Sequence, residues 1–174
     1  MTGPDPLLEK FAYLIEQSKA EGPVLDLACG DGHNGLYLAE RGLSVILADL
    51  SRKALEEAKQ KAQAKGLFVR LWEVDLERGG NPLEEDAYRA VLVFRYLHRP
   101  LFPFIKKGIR KGGILIYETY TDEKIGEGPP RNPDHLLHPG ELAAWFKDWR
   151  IIHYAEGIGD DPGRTTARLV CEKP

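Results

Sequence analysis

Three glycines and four carboxylates in the first half of the chain are spaced for chemistry on a nucleotide. Residues 24–35 read VLDLACGDGHNG, so Gly30, Gly32 and Gly35 satisfy G-x-G-x-x-G. In that pattern glycines let backbone amides approach a pyrophosphate. Asp49 follows Gly30 by 19 residues, a spacing at which a carboxylate accepts from both ribose hydroxyls. Asp26, Asp31 and Asp75 point elsewhere, because a pyrophosphate on this turn would face like charge in a poorly solvated cleft.

An adenosine cofactor without phosphate resolves the conflict. S-adenosylmethionine brings an ammonium and a sulfonium, which carboxylates near the turn suit, and Asp75 can accept from the adenine amino group. The alternatives are a helix cap or turn acid for Asp49 and a buried acid capping backbone amides for Asp26. Ala28 leaves room for the backbone to approach the ligand. Gly35 is expected on the following helix, completing the glycine pattern by coincidence.

These residues need a scaffold, and the hydrophobic pattern supplies one. Strands are expected at 24–28, 43–49, 67–75, 87–94, 114–119, 149–156 and 165–172. Helices are expected from Asp5, capping with Pro6 at the first position, from about Asn34 to Gly42, and from Ser51 to Gly66. Shorter helices are expected near 101–109, ended by the KGG of 111–113, and near 140–147. The reading is an α/β fold: a Rossmann-like, doubly wound, mostly parallel seven-stranded sheet with helices on both faces. A turn containing Gly159, Asp160, Asp161, Pro162 and Gly163 predicts a C-terminal antiparallel hairpin. Ligands of such sheets bind beyond the carboxyl ends of the strands, at the switch point.

The motifs resemble those of class I S-adenosylmethionine-dependent methyltransferases. VLDLACGDG looks like their first motif, LADLS and WEVDLE like the motifs after strands two and three, and KGGILIYET like the turn and fifth strand. CGDGHNGLYLAERG is similar to the small tellurite-resistance-type methyltransferases, with His33 where those usually have Arg. The resemblance implies one methyltransferase domain over 1–174. It implies that Asp26, Ala28, Gly30 and Gly32 approach the methionine moiety and that Asp49 takes the ribose. Leu50 would flank the adenine, Asp75 and Leu76 would enclose its far edge, and Phe94 would lie close to the methyl group.

Methyl transfer needs an aligned nucleophile, and a base only when the nucleophile is protonated. After strand four, FRYLHRPLFP offers Arg95 for an anionic substrate group, Tyr96 to orient it and His98 to take a proton. Arg99 can instead be a surface residue and His98 a helix cap. Residues 119–139, rich in Gly and Pro, read as a lid carrying Arg131, His135 and His138, or as a solvent loop. Tyr120 and Lys124 match Y-x-x-x-K by chance, and Glu118 faces the cleft by position.

The acceptor is expected to be a small molecule; the net charge of −3 makes nucleic acid unlikely as a partner, and no metal is called for. Lys106, Lys107, Arg110 and Lys111 are the one possible RNA-binding patch. No run is apolar enough to span a membrane, MTGPDPLLEK lacks a signal peptide's features, and Cys29 and Cys171 read as reduced, cytoplasmic thiols. One Met and twelve Pro hint at a thermophilic source, and oligomeric state stays open. Two other readings remain: an NAD(P)-dependent oxidoreductase, and a non-catalytic S-adenosylmethionine-binding protein.

Overall fold

The computed structural model describes residues 3–123, 128, 130–160 and 163–174. Its centre is the buried strand β1 (Val24–Leu27), which pairs in parallel with β2 (Val45–Asp49) on one side and β4 (Tyr88–Phe94) on the other. With β3 (Arg70–Glu73), β5 (Ile109–Tyr120), β6 (Arg150–Ile158) and β7 (Thr165–Glu172), the sheet order is β3-β2-β1-β4-β5-β7-β6. β5–β7 and β6–β7 are the antiparallel pairs, as the hairpin reading expects. Asp161 and Pro162 of its turn lie outside the described residues. The chain reverses its direction of travel across the sheet between β1 and β4, so a crevice opens beyond their carboxyl ends.

Helices cover both faces because β1, β4 and β5 are apolar on both sides. One face packs α1 (Pro6–Gln17), α2 (His33–Glu40) and α3 (Arg52–Ala64) through Leu8, Ile15, Leu38, Leu55 and Ala58. The other packs α4 (Phe102–Gly108) and α5 (Glu141–Trp145), where Phe102 meets Tyr117, Trp145 and Phe146 in tilted and edge-on ring contacts. Ser51 caps α3, its side chain accepting from the Ala54 N–H at 3.2 Å.

Three expectations are corrected. Asp5 precedes α1, but its side chain makes no cap bond; the carboxylate is used by residues far along the chain. The third strand is only four residues long: it is an edge with one partner, and Phe68, 91% exposed, lies outside the pairing. The KGG turn does not separate α4 from β5. Gly112 (φ +75°) and Gly113 sit inside the strand at a register shift, and a Cβ on Gly113 would lie 2.7 Å from the Arg89 carbonyl oxygen.

Candidate functional site

Strand β1 delivers Asp26 into the core at 2% exposure. Burial pushes its carboxyl up to about 7, against the opposing pull of the Gly35 N–H, which donates to Oδ2 at 2.9 Å. That bond corrects the reading of Gly35 as coincidental. A Cβ there would lie 2.3 Å from Leu47 Cδ2 and 3.0 Å from the Asp26 Oδ2. The third glycine is what lets α2 press against β2 while its N-terminus serves Asp26.

Beyond β1 the chain turns through Ala28 (φ +53°), Gly30 (φ +54°) and Gly32 (φ +74°). Ala28 holds a left-handed backbone that a side chain rarely adopts, as does Arg95 (φ +55°) just past β4. The two strained residues follow the strands that flank the crevice. Space beside the Gly30 Cα is open. The Gly30 N–H donates to Asp49 Oδ2 at 2.8 Å and the Ser51 N–H to Asp49 Oδ1 at 2.8 Å. Asp49 is therefore a turn acid, and each oxygen keeps a further lone pair for a hydroxyl. Leu50 next to it is 65% exposed, a flat apolar surface at the strand end. Asp75 is exposed and accepts from the Glu77 N–H at 3.0 Å, whereas Leu76 is buried. Asp26, Ala28, Gly30, His33, Phe94 and Arg95 are among the residues lining one cavity of about 220 Å³.

The cavity's edge is tied together by residues that periodicity does not reveal. Arg95 donates from both terminal nitrogens to Asp5, at 2.6 and 3.0 Å. The same Asp5 carboxylate accepts from Asn34 Nδ2 at 2.7 Å and meets His33 Nε2 at 3.0 Å. Asn34 Oδ1 accepts from the Asp5 N–H at 2.8 Å, and His33 Nδ1 meets Asp31, which also takes Lys61 at 2.7 Å. Burial pushes the Asp5 carboxyl up, but the bonds from His33, Arg95 and Asn34 hold it well below the usual carboxylate range. Hydrogen bonding to Asp5 raises His33 despite burial, with Asp31 adding to the shift. Arg95 is thus not an uncommitted anion binder, because Asp5 already holds it bidentately.

The other proposed catalytic side chains scatter. Tyr96 donates from its hydroxyl to Glu77 at 3.3 Å, and burial raises its pKa further. His98 precedes a 3-10 turn over Arg99–Leu101 without capping it by its side chain. His135 sits on an exposed 3-10 turn, Pro133–His135, and Arg131 is also exposed. Arg99 is no loose surface residue. It grips Glu141 at 2.6 and 2.9 Å and the carbonyls of Asp134 and Leu136 at 2.9 and 2.8 Å. A bridge between Thr121 and Leu137 and the His138–Asp122 pair at 2.6 Å fasten the same segment. Lys124, Gly126 and Pro129 lie outside the described residues.

Residues 24–111 match the family described as a methyltransferase domain. The chain is 25% identical over 155 residues to "Probable S-adenosyl-L-methionine-dependent methyltransferase TehB" of Haemophilus influenzae, covering 84% of this chain and 53% of that protein. It is 26% identical over 166 residues to the tRNA 5-carboxymethoxyuridine methyltransferase of Escherichia coli, covering 80% of this chain and 64% of that one. It therefore spans about half to two-thirds of the length of these relatives. The crystal structure of TehB from Haemophilus influenzae superposes with a TM-score of 0.76 at 22% identity, covering 94% of this chain and 62% of that one. A Pyrococcus abyssi tRNA methyltransferase solved with S-adenosyl-L-homocysteine shares the fold at a TM-score of 0.61 and 20% identity, covering 95% of this chain and 38% of that one. The chain belongs to the class I S-adenosylmethionine-dependent methyltransferases and resembles those of the TehB type.

Proposed function

We propose that this methyltransferase acts on a small-molecule acceptor. The observation that carries the reading is the sign of the charge around the crevice. Asp31, Asp49, Glu73, Asp75 and Glu77 follow the strand ends, and the neighbouring cations Lys61 and Arg52 pair with Asp31 and Glu73. A nucleic-acid backbone approaching there would meet like charge. The basic run supplies little counterweight: Lys106 pairs with Asp148 and Lys107 with Glu85, near the opposite end of β5.

In this reading Asp26, Ala28, Gly30, Gly32 and Phe94 hold the methionine part of the cofactor, and Asp49 accepts from the ribose. Leu50, Asp75 and Leu76 border the adenine. Asp5, His33 and Arg95 keep the turn and the end of β4 at a fixed separation. The cofactor supplies a methyl group on a sulfonium, a good leaving group, so the chain's main task is alignment.

RNA methylation is the second reading, favoured by the similarity to the tRNA-modifying relative. Incubation with tritiated S-adenosylmethionine and either a small-metabolite extract or bulk tRNA separates the two. Label in the metabolite fraction is expected; label in RNA alone overturns the small-molecule reading.

A further inference from the structure

β5 and β7 pair with Ile116 opposite Val170, Glu118 opposite Arg168 and Tyr120 opposite Thr166. Residues paired in register project to the same face, so one stripe of the sheet turns from apolar to polar over its last two pairs. Ile116 and Val170 belong to the core under α1. Above them the polar groups stay enclosed: Glu118 is 7% exposed and Thr166 is 3% exposed.

Two groups of this stripe lack partners among the described residues: Thr166 Oγ1 and Arg168 Nε are buried with no hydrogen bond. An unpaired buried polar group costs about 1–3 kcal/mol, so its persistence calls for something that satisfies it. Gly159 packs against Thr166 and Glu118: a Cβ there would lie 2.8 Å from Thr166 Oγ1, too close without a shift, and 3.6 Å from Glu118 Oε1. This end of the stripe adjoins the cavity: Glu118 is in register with Phe94, which lines it, and the Glu118 carbonyl accepts from the Arg95 N–H at 2.8 Å.

We propose that Glu118, with Thr166 Oγ1 beside it, binds and deprotonates a small O–H or N–H methyl acceptor at this end of β5 and β7. The inference rests on the methyltransferase reading and deepens it. As the acceptor's lone pair bonds to the methyl carbon, the S–C bond breaks with its electron pair staying on sulfur. The acceptor's proton passes to a Glu118 oxygen. Burial and the charges of Asp5 and Asp160 raise this carboxyl to about 6, with Arg168 and Arg95 opposing them. A base in that range is charged at neutral pH yet basic enough to take a proton.

Two phenols serve as probes, para-methoxyphenol, neutral at pH 7, and the far more acidic para-nitrophenol. With S-adenosyl-L-homocysteine bound, the carboxyl carbon resonance of Glu118, assigned through its loss in Glu118→Gln, should move saturably on adding para-methoxyphenol. Gly159→Ala, whose methyl would displace the Thr166 hydroxyl, should diminish that movement. In turnover, Glu118→Gln should slow methylation of para-methoxyphenol by about a hundredfold or more and that of para-nitrophenol far less. Affinity for S-adenosyl-L-homocysteine should stay within about twofold by calorimetry. No resonance movement with either phenol, or equal slowing on both, overturns the proposal. Absence of S-adenosyl-L-homocysteine binding to the unmodified protein overturns the cofactor reading instead, so the two failures are distinct.

Discussion

The two ends of the crevice are built by opposite rules. Beyond β1 and β2 every polar side chain is engaged: Asp26 by Gly35, Asp49 by Gly30 and Ser51, and Asp5 by three side chains at once. Beyond β5 and β7, Thr166 Oγ1 and Arg168 Nε are buried without partners. A turn whose geometry is fixed in advance suits a ligand that is the same in every reaction cycle and costs little reorganisation on binding. Polar groups left unsatisfied suit a partner that brings its own complement.

Variants that break the engaged end should have the largest effects. Gly35→Val drives a side chain into Leu47 and Asp26 and should cost about 1–3 kcal/mol in urea unfolding, a loss that a merely decorative glycine would not show. Asp5→Ala strands Arg95, Asn34 and His33 and should cost about 1–3 kcal/mol at pH 6. Its pH dependence has two signs. The lowered Asp5 contributes stability above its ordinary 3.8 and loses it as pH falls through the depressed value. The raised His33 contributes fully below its ordinary 6.5 and loses that contribution as pH rises through the elevated value. The gap between the two proteins should therefore be widest between about pH 4 and 6.5 and should narrow on going alkaline; a gap that widens there sinks the assignment.

Smaller effects sharpen the comparison at the ligand. Asp49→Ala should weaken S-adenosyl-L-homocysteine by more than tenfold, about 1.4 kcal/mol or above, measured by calorimetry. Unchanged affinity would remove the ribose role. For Asp26, raised to about 7, a cationic ligand should favour the ionised form. Binding one unit below that pH should release protons, seen as a difference in heat between buffers of unlike ionisation enthalpy. One unit above it the release should fade, and the affinity should be a few-fold tighter.

Much of the engaged end is legible in the sequence because its signals are local. Strand, glycine turn and following acid lie within the reach of a motif, and Gly30 and Asp49 are where such a reading places them. Gly35 was legible as a helical residue but not as a packing one, since its neighbour Leu47 comes from another strand. Asp5 and Arg95 stand 90 residues apart, and no period or spacing connects them. The same holds for Glu118 and Thr166, which meet only through the β5–β7 register. The third strand is shorter than the stretch 67–75 suggests, because at the sheet edge β3 has one partner and pairs only over Arg70–Glu73.

The Asp5–Arg95 pair also has a consequence in time. Synthesis delivers Asp5 first, yet its partners at positions 33 and 34 and then 95 follow much later. Until Arg95 has left the ribosome, Asp5 can meet His33 and Asn34 but not the guanidinium at the end of β4. A nascent chain stopped before Arg95 holds the whole glycine motif but lacks the latch that joins it to the neighbouring strand. The latch closes only when Arg95 reaches a carboxylate made 90 residues earlier.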